Sequence, residues 1–151
     1  MIPIVRLTLE KTNELSGFTE RIFGCEEAAP IFRRQLGNLA RESVGLLCLD
    51  THNQIINYSD ITFGKVNRVD VDYAAIMKIA LLANAQYILI AHNHPTGILE
   101  PSPTDVESTK KLGALSKLFG IELIDSLIVG PTNDYTSIRS IIKESHVSHD
   151  L

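Results

Sequence analysis

The run Tyr87-Ile-Leu-Ile-Ala91 constrains the fold more than any other stretch of the chain. A short continuous apolar run is the mark of a strand covered on both faces, since a strand with one wet face alternates. Such a strand needs helices above and below it. It also carries the next residues, His92-Asn-His-Pro95, to the end of a sheet.

The rest of the chain supplies the covering layers. Ala28 to Ala40 has apolar residues at 28, 32, 36 and 39–40, a helical spacing. Ser43–Asp50 and Gln54–Ser59 read as strands joined by Asp50-Thr-His-Asn53, so a hairpin is expected. Gly64 to Val69 leads to Asp70, an expected N-cap for a helix with Ile76, Ile79, Ala80 and Ala83 on one face and Asn84 as its stop. Ser102 before Pro103 marks another helix start, with Val106, Leu112, Leu115 and Phe119 expected inward and Gly120 as its end. Leu123–Val129 is a further strand, and Tyr135–Ile138 a short one after the turn Gly130-Pro-Thr-Asn133. At the N-terminus, Val5, Leu7 and Leu9 alternate with Arg6, Thr8 and Glu10, which predicts an edge strand.

Strands and helices therefore alternate, with one hairpin. The predicted class is α/β, in three layers, with a mixed central sheet flanked by helices. Residues 1–27 form an N-terminal strand and irregular segment packed on the domain, 28–140 the domain itself, and 141–151 a polar tail that frays. With 151 residues, 44% of them hydrophobic, the chain can bury roughly two-thirds of its unfolded surface without disulfide staples. Cys25 and Cys48 do not form a CxxC pair; Cys48 lies in the apolar run from Val44 to Leu49, and no basic cluster near Cys25 would activate its thiol. Two unpaired thiols, no secretory leader and no apolar run long enough for a membrane span point to a cytoplasmic protein. The net charge of −4 argues against a phosphate backbone as the main partner. A homo-oligomer is compatible with all of this.

The chemistry lies at the end of the central strand. On an extended chain, residues two apart point to the same side, so His92 and His94 can reach one ion while Asn93 points away. Ten residues separate His94 from Asp105, which falls in the first turn of the predicted helix. Two imidazoles and one carboxylate leave a fourth position open, as catalytic zinc sites do. A competing reading makes Ser102 and Asp105 a capping box, which would commit both side chains to backbone donors. His52, in the hairpin turn, and His146 and His149, in the tail, are not expected ligands.

His-x-His, ten residues, then Asp, with Ser three before it, resembles the JAMM signature of MPN-type metalloproteases. The match to the RadC-like JAB domain is closer still. Ala83-Asn-Ala85, Ile88-Leu-Ile-Ala-His-Asn-His-Pro-Thr-Gly97, Pro101-Ser102 and Asp105 resemble that family almost residue for residue. So do Gly120-Ile-Glu-Leu-Ile-Asp125, Leu127-Ile-Val-Gly130 and Tyr135-Thr-Ser137, and the likeness covers about residues 28–140. The resemblance implies the JAB/MPN fold, similar to the cytidine deaminase architecture. It implies Zn(2+) held by His92, His94 and Asp105, with Glu42 as general acid/base and Ser102 helping to hold the oxyanion. Glu42 is picked out by the resemblance alone, because Arg41-Glu42 precedes the strand where the signature has its upstream Glu.

The implied function is a zinc-dependent hydrolase, a metallopeptidase or isopeptidase acting on a peptide or protein. Alternatives are a DNA-repair-associated or nucleic-acid-binding protein, and a non-catalytic metal-binding scaffold. A zinc deaminase would show His-x-Glu and Pro-Cys-x-x-Cys, and neither is present. Three departures from the family stand out. The chain has no room for the N-terminal helix-hairpin-helix region of longer members. Ser126 stands where the family commonly has His, and Thr96 where it commonly has Ser.

Overall fold

The computed structural model describes residues 1–61 and 71–149, the last five of these as helix backbone only. Its elements run α1 (Cys25–Leu36), β1 (Val44–Leu49), β2 (Ile55–Ile61), α2 (Tyr73–Leu82), β3 (Tyr87–Asn93), α3 (Pro103–Leu118), β4 (Glu122–Val129), β5 (Tyr135–Ser137) and α4 (Ile138–His149). The strands form one sheet in the order β2-β1-β3-β4-β5. The β3–β4 pair is parallel, with α3 as the crossover between them, and the other pairs are antiparallel.

Alternation along the strands sorts side chains into two layers. Leu47, Leu49, Leu89, Ala91, Leu127 and Val129 pack with Phe32 and Leu36 of α1 on one face. Leu46, Cys48, Ile88 and Ile90 pack with Ile76 and Ala80 of α2 and Leu112 of α3 on the other. The fold is thus the three-layer mixed α/β arrangement predicted. The hairpin forms as expected: Asp50 Oδ1 accepts the His52 and Gln54 N–H groups, and Asn53 takes a left-handed φ of 61°.

Four expectations need correction. The N-terminal strand does not form: residues 1–17 are exposed, with Val5 at 78% and Leu7 at 75%. A strand needs a neighbour to ladder with. The start of the outer β2 edge is taken by residues 20–22, through Ile22 N–H to Asn53 O (2.9 Å) and Ile55 N–H to Glu20 O (2.8 Å). Gly17, at φ +87°, then turns the preceding chain away. Helix α1 starts three residues earlier than the apolar spacing suggested and stops at Leu36, so Leu39 and Ala40 lie outside it. Phe119 is 52% exposed; the buried residues of α3 are Thr109, Leu112 and Ser116. Burying the two hydroxyls is tolerated because each bonds back to a carbonyl of its own helix, of Asp105 and Gly113 respectively. The expected N-cap Asp70 lies outside the described residues, and Asp72 caps α2 by accepting the Ala75 N–H.

The fourth correction concerns the tail, which is helical through His149. Its start is built by one preceding and one remote side chain. Ser137 Oγ accepts the Ser140 N–H, and the buried Asp125 carboxylate accepts the Arg139 N–H at 3.0 Å. The same carboxylate accepts from Cys25 Sγ (2.7 Å), the Ser137 hydroxyl and the Ser126 N–H, tying α1, β4, β5 and α4 together. Burial first, then the hydrogen bond to Asp125, push the Cys25 thiol up to about 12, so it stays a protonated donor at neutral pH.

This architecture makes two outcomes testable. Limited trypsin digestion is expected to cut first after Arg6 and Lys11, leaving a resistant fragment that begins at Thr12; equally fast cleavage after Arg33 in α1 or Lys78 in α2 would contradict the fold. Asp125→Ala strands four donors and should cost about 3 kcal/mol in a urea unfolding titration.

Candidate metal centre

The centre assembles where β1 begins and β3 ends, because antiparallel pairing sets Val44 opposite His92. The hairpin turn carrying His52 is at the far end of β1. His92 continues Ile88 and Ile90 onto the α2/α3 face, and His94 two residues on returns to it. Helix α3 starts above that face and presents Asp105 from its first turn. Glu42 lies just before β1.

The nitrogens and oxygens converge. His92 Nε2 and His94 Nε2 are 3.1 Å apart. Asp105 meets each ring with a different oxygen, Oδ1 3.4 Å from His92 Nε2 and Oδ2 3.5 Å from His94 Nε2. Glu42 Oε1 is 3.9 Å from His94 Nε2, and Glu42, His92 and His94 each offer a ligand atom within 4.8 Å of the other two. Ligands at about 2.0–2.1 Å from a tetrahedral ion lie about 3.3 Å from one another. The separation of the two ring nitrogens is close to that value, each ring has one Asp105 oxygen at a similar distance, and the imidazole and carboxylate donors suit a divalent ion. The residues fit the group that the resemblance implies.

The surroundings prepare these ligands. His94 Nδ1–H donates to the Ile98 carbonyl at 2.7 Å, which leaves the Nε2 lone pair pointing at the centre. That carbonyl, in the loop between β3 and α3, carries no sequence signal, because any residue offers one. The capping box forms, with Ser102 Oγ accepting the Asp105 N–H (3.1 Å) and Asp105 Oδ2 accepting the Ser102 N–H (2.9 Å). It does not exclude the metal reading: Asp105 faces both rings while its oxygen also accepts the cap bond. Burial pushes the Asp105 carboxyl up, but the His92 contact and the Ser102 N–H outweigh this and hold it well below the usual carboxylate range. Ser102 itself is exposed, and accepting one bond leaves its O–H free to turn. The His92, His94 and Asp105 side chains are 12%, 16% and 12% exposed, whereas Glu42 is 29% exposed and so nearer the open side. A cavity of about 20 Å³, enough for about one water molecule, lies beside His92 and Asp105 and is bordered by Glu42, Thr109 and Ser126.

A family model described as the RadC-like JAB domain matches residues 22–144. The chain belongs to this family. A UPF0758 protein of Finegoldia magna is 38% identical over 114 residues, 76% of this chain and 51% of the relative. One from Streptococcus suis is 38% identical over 120 residues, covering 80% and 48% of the two chains. One from Coxiella burnetii is 30% identical over 137 residues, covering 90% and 58%. The chain thus spans about half the length of the curated relatives it matches, and their names state no activity. Among the described residues, a five-stranded mixed sheet with four helices is consistent with a JAB/MPN fold. No helix among the described residues is long and apolar enough to cross a membrane.

For this RadC-like JAB domain, dialysis against Zn(2+) and then elemental analysis should return one ion per chain. His92→Ala and His94→Ala should each abolish stoichiometric uptake; full occupancy in either variant would show that the ion binds elsewhere.

Proposed function

We propose that this domain is a zinc-dependent hydrolase of peptide or isopeptide bonds. The observation that carries the reading is the convergence of His92, His94 and Asp105 at ligand spacing, with the Glu42 carboxylate 3.9 Å from His94. His92, His94 and Asp105 would hold the ion, leaving Glu42 for proton transfer. When bound, a divalent ion acidifies water and polarises a carbonyl oxygen.

The chain's own groups account for the remainder. The Ile98 carbonyl fixes the His94 tautomer and ring. Glu42, less buried than the ligands, stands where it can take a proton from the attacking water and hand it to the leaving amine. The water oxygen bonds to the scissile carbonyl carbon, the C–N bond breaks, and the products are an acid and an amine. Ser102, exposed and joined to Asp105 by the capping box, would turn its O–H to donate to the oxygen that gains charge in the transition state. As a ligand to the ion and acceptor of the Ser102 N–H, Asp105 would stay ionised and leave this proton to Glu42.

The test is hydrolysis of a peptide and isopeptide library by the zinc-loaded chain. Cleavage should vanish with chelator and return with Zn(2+). Glu42→Gln should keep the ion and lose at least about 100-fold in kcat, the low end of what a positioned base contributes. Undiminished turnover by Glu42→Gln, or an inert library against fully loaded wild type, would defeat the proposal.

A further inference from the structure

The residue between the two histidines is fully buried. Asn93 is 0% exposed, on the α1 face of the sheet, opposite to its neighbours. An amide there must find partners for one acceptor and two donors. It finds all of them on one short segment. Asn93 Oδ1 accepts the Ser43 N–H at 2.6 Å, and Nδ2 donates to the carbonyls of Leu39 (3.2 Å) and Arg41 (3.0 Å). A backbone bond from Asn93 N–H to Ser43 O adds a fourth tie.

These bonds grip the chain on both sides of Glu42. Residues 39–43 belong to no helix or strand, so they have no ladder of their own to fix them. We infer that Asn93 is the positioning residue for Glu42: the strand that carries the histidines also sets, through Asn93, where the carboxylate stands relative to them. The chemistry of the position is specific to an amide. A carboxylate in its place would keep the Ser43 bond but turn an oxygen toward two carbonyls. An apolar side chain would leave the Ser43 N–H and the Leu39 carbonyl without a side-chain partner, and the Arg41 carbonyl with only the Ser43 hydroxyl at 3.3 Å. The alternation of the strand makes the coupling direct, because residue 93 points one way as 92 and 94 point the other. The consequence for turnover rests on the hydrolase reading; the positioning does not.

The experiment uses the whole chain with Asn93→Ala and the near-isosteric Asn93→Asp. Hydrogen exchange of the segment 39–43, and of the Ser43 amide in particular, should accelerate about tenfold or more in both, with β3 unchanged over residues 87–91. Zinc affinity, measured by competition with a chromophoric chelator, should stay within about threefold of wild type. In a hydrolysing wild type, Asn93→Ala should lower kcat about as far as Glu42→Gln with KM little changed, and the double variant should lose no more than either single one. Unchanged exchange over 39–43, or zinc affinity falling more than tenfold, would overturn the assignment. So would failure of both variants to fold, since Asn93 would then serve the sheet as a whole. An inert wild type with the expected exchange pattern counts against the hydrolase reading and leaves the positioning role standing.

Discussion

Strand β3 is bonded on both edges and covered on both faces, and this fixes an address for each of its side chains. Its odd and even positions feed two separate apolar layers, one under α1 and one under α2 and α3. A one-residue slip would exchange Ile88 and Ile90 with Leu89 and Ala91, and would also turn both histidines away from Asp105. Packing and ligand geometry are therefore held by the same register. The core holds the centre in place because the centre is the last turn of the core's own alternation.

How much of this was legible depends on the range of each interaction. The period-two pattern places His92 and His94 on one side, and the Ser102-Pro103 start puts Asp105 in the first turn of a helix; both signals are local. Glu42 is different. It reaches His94 because β1 pairs with β3, a contact across about fifty residues of chain, and nothing around Glu42 distinguishes it from Glu26 or Glu27. Only likeness to a family picked it out. The same limit explains the misread termini. Val5, Leu7 and Leu9 carry a strand pattern, but residues 20–22 hold the start of the neighbouring edge. The polar tail forms a helix because Asp125 and Ser137, remote or preceding groups, satisfy its first donors.

The capping box shows how one carboxylate can serve two masters. Asp105 Oδ2 accepts the Ser102 N–H and also lies 3.5 Å from His94, so the bond that starts α3 aims the carboxylate at the rings. A helix-start acid gains from the macrodipole wherever it points. What distinguishes Asp105 is that the cap leaves it no freedom to point elsewhere. The cap bonds and the contacts to the two rings, rival uses of Asp105 in the sequence, are compatible in one geometry.

Charge supplies the remaining step. Glu42 and Asp105 bring two carboxylates to a centre where the His94 ring, its Nδ1 proton committed to a carbonyl, presents its Nε2 lone pair. Two partly buried carboxylates near one point repel each other, and a divalent ion brings the sum to zero. The two acids are not equivalent in this balance. Asp105 is gripped by the cap and by His92, which suits a ligand that must stay ionised. Glu42 is more exposed and stands farther off, 3.9 Å from His94 Nε2 and within 4.8 Å of a His92 ring nitrogen. That asymmetry is what a centre needs if one carboxylate is to hold charge and the other is to exchange a proton. In this chain it arises from where the two acids sit: one on a helix, the other on a loop held by Asn93.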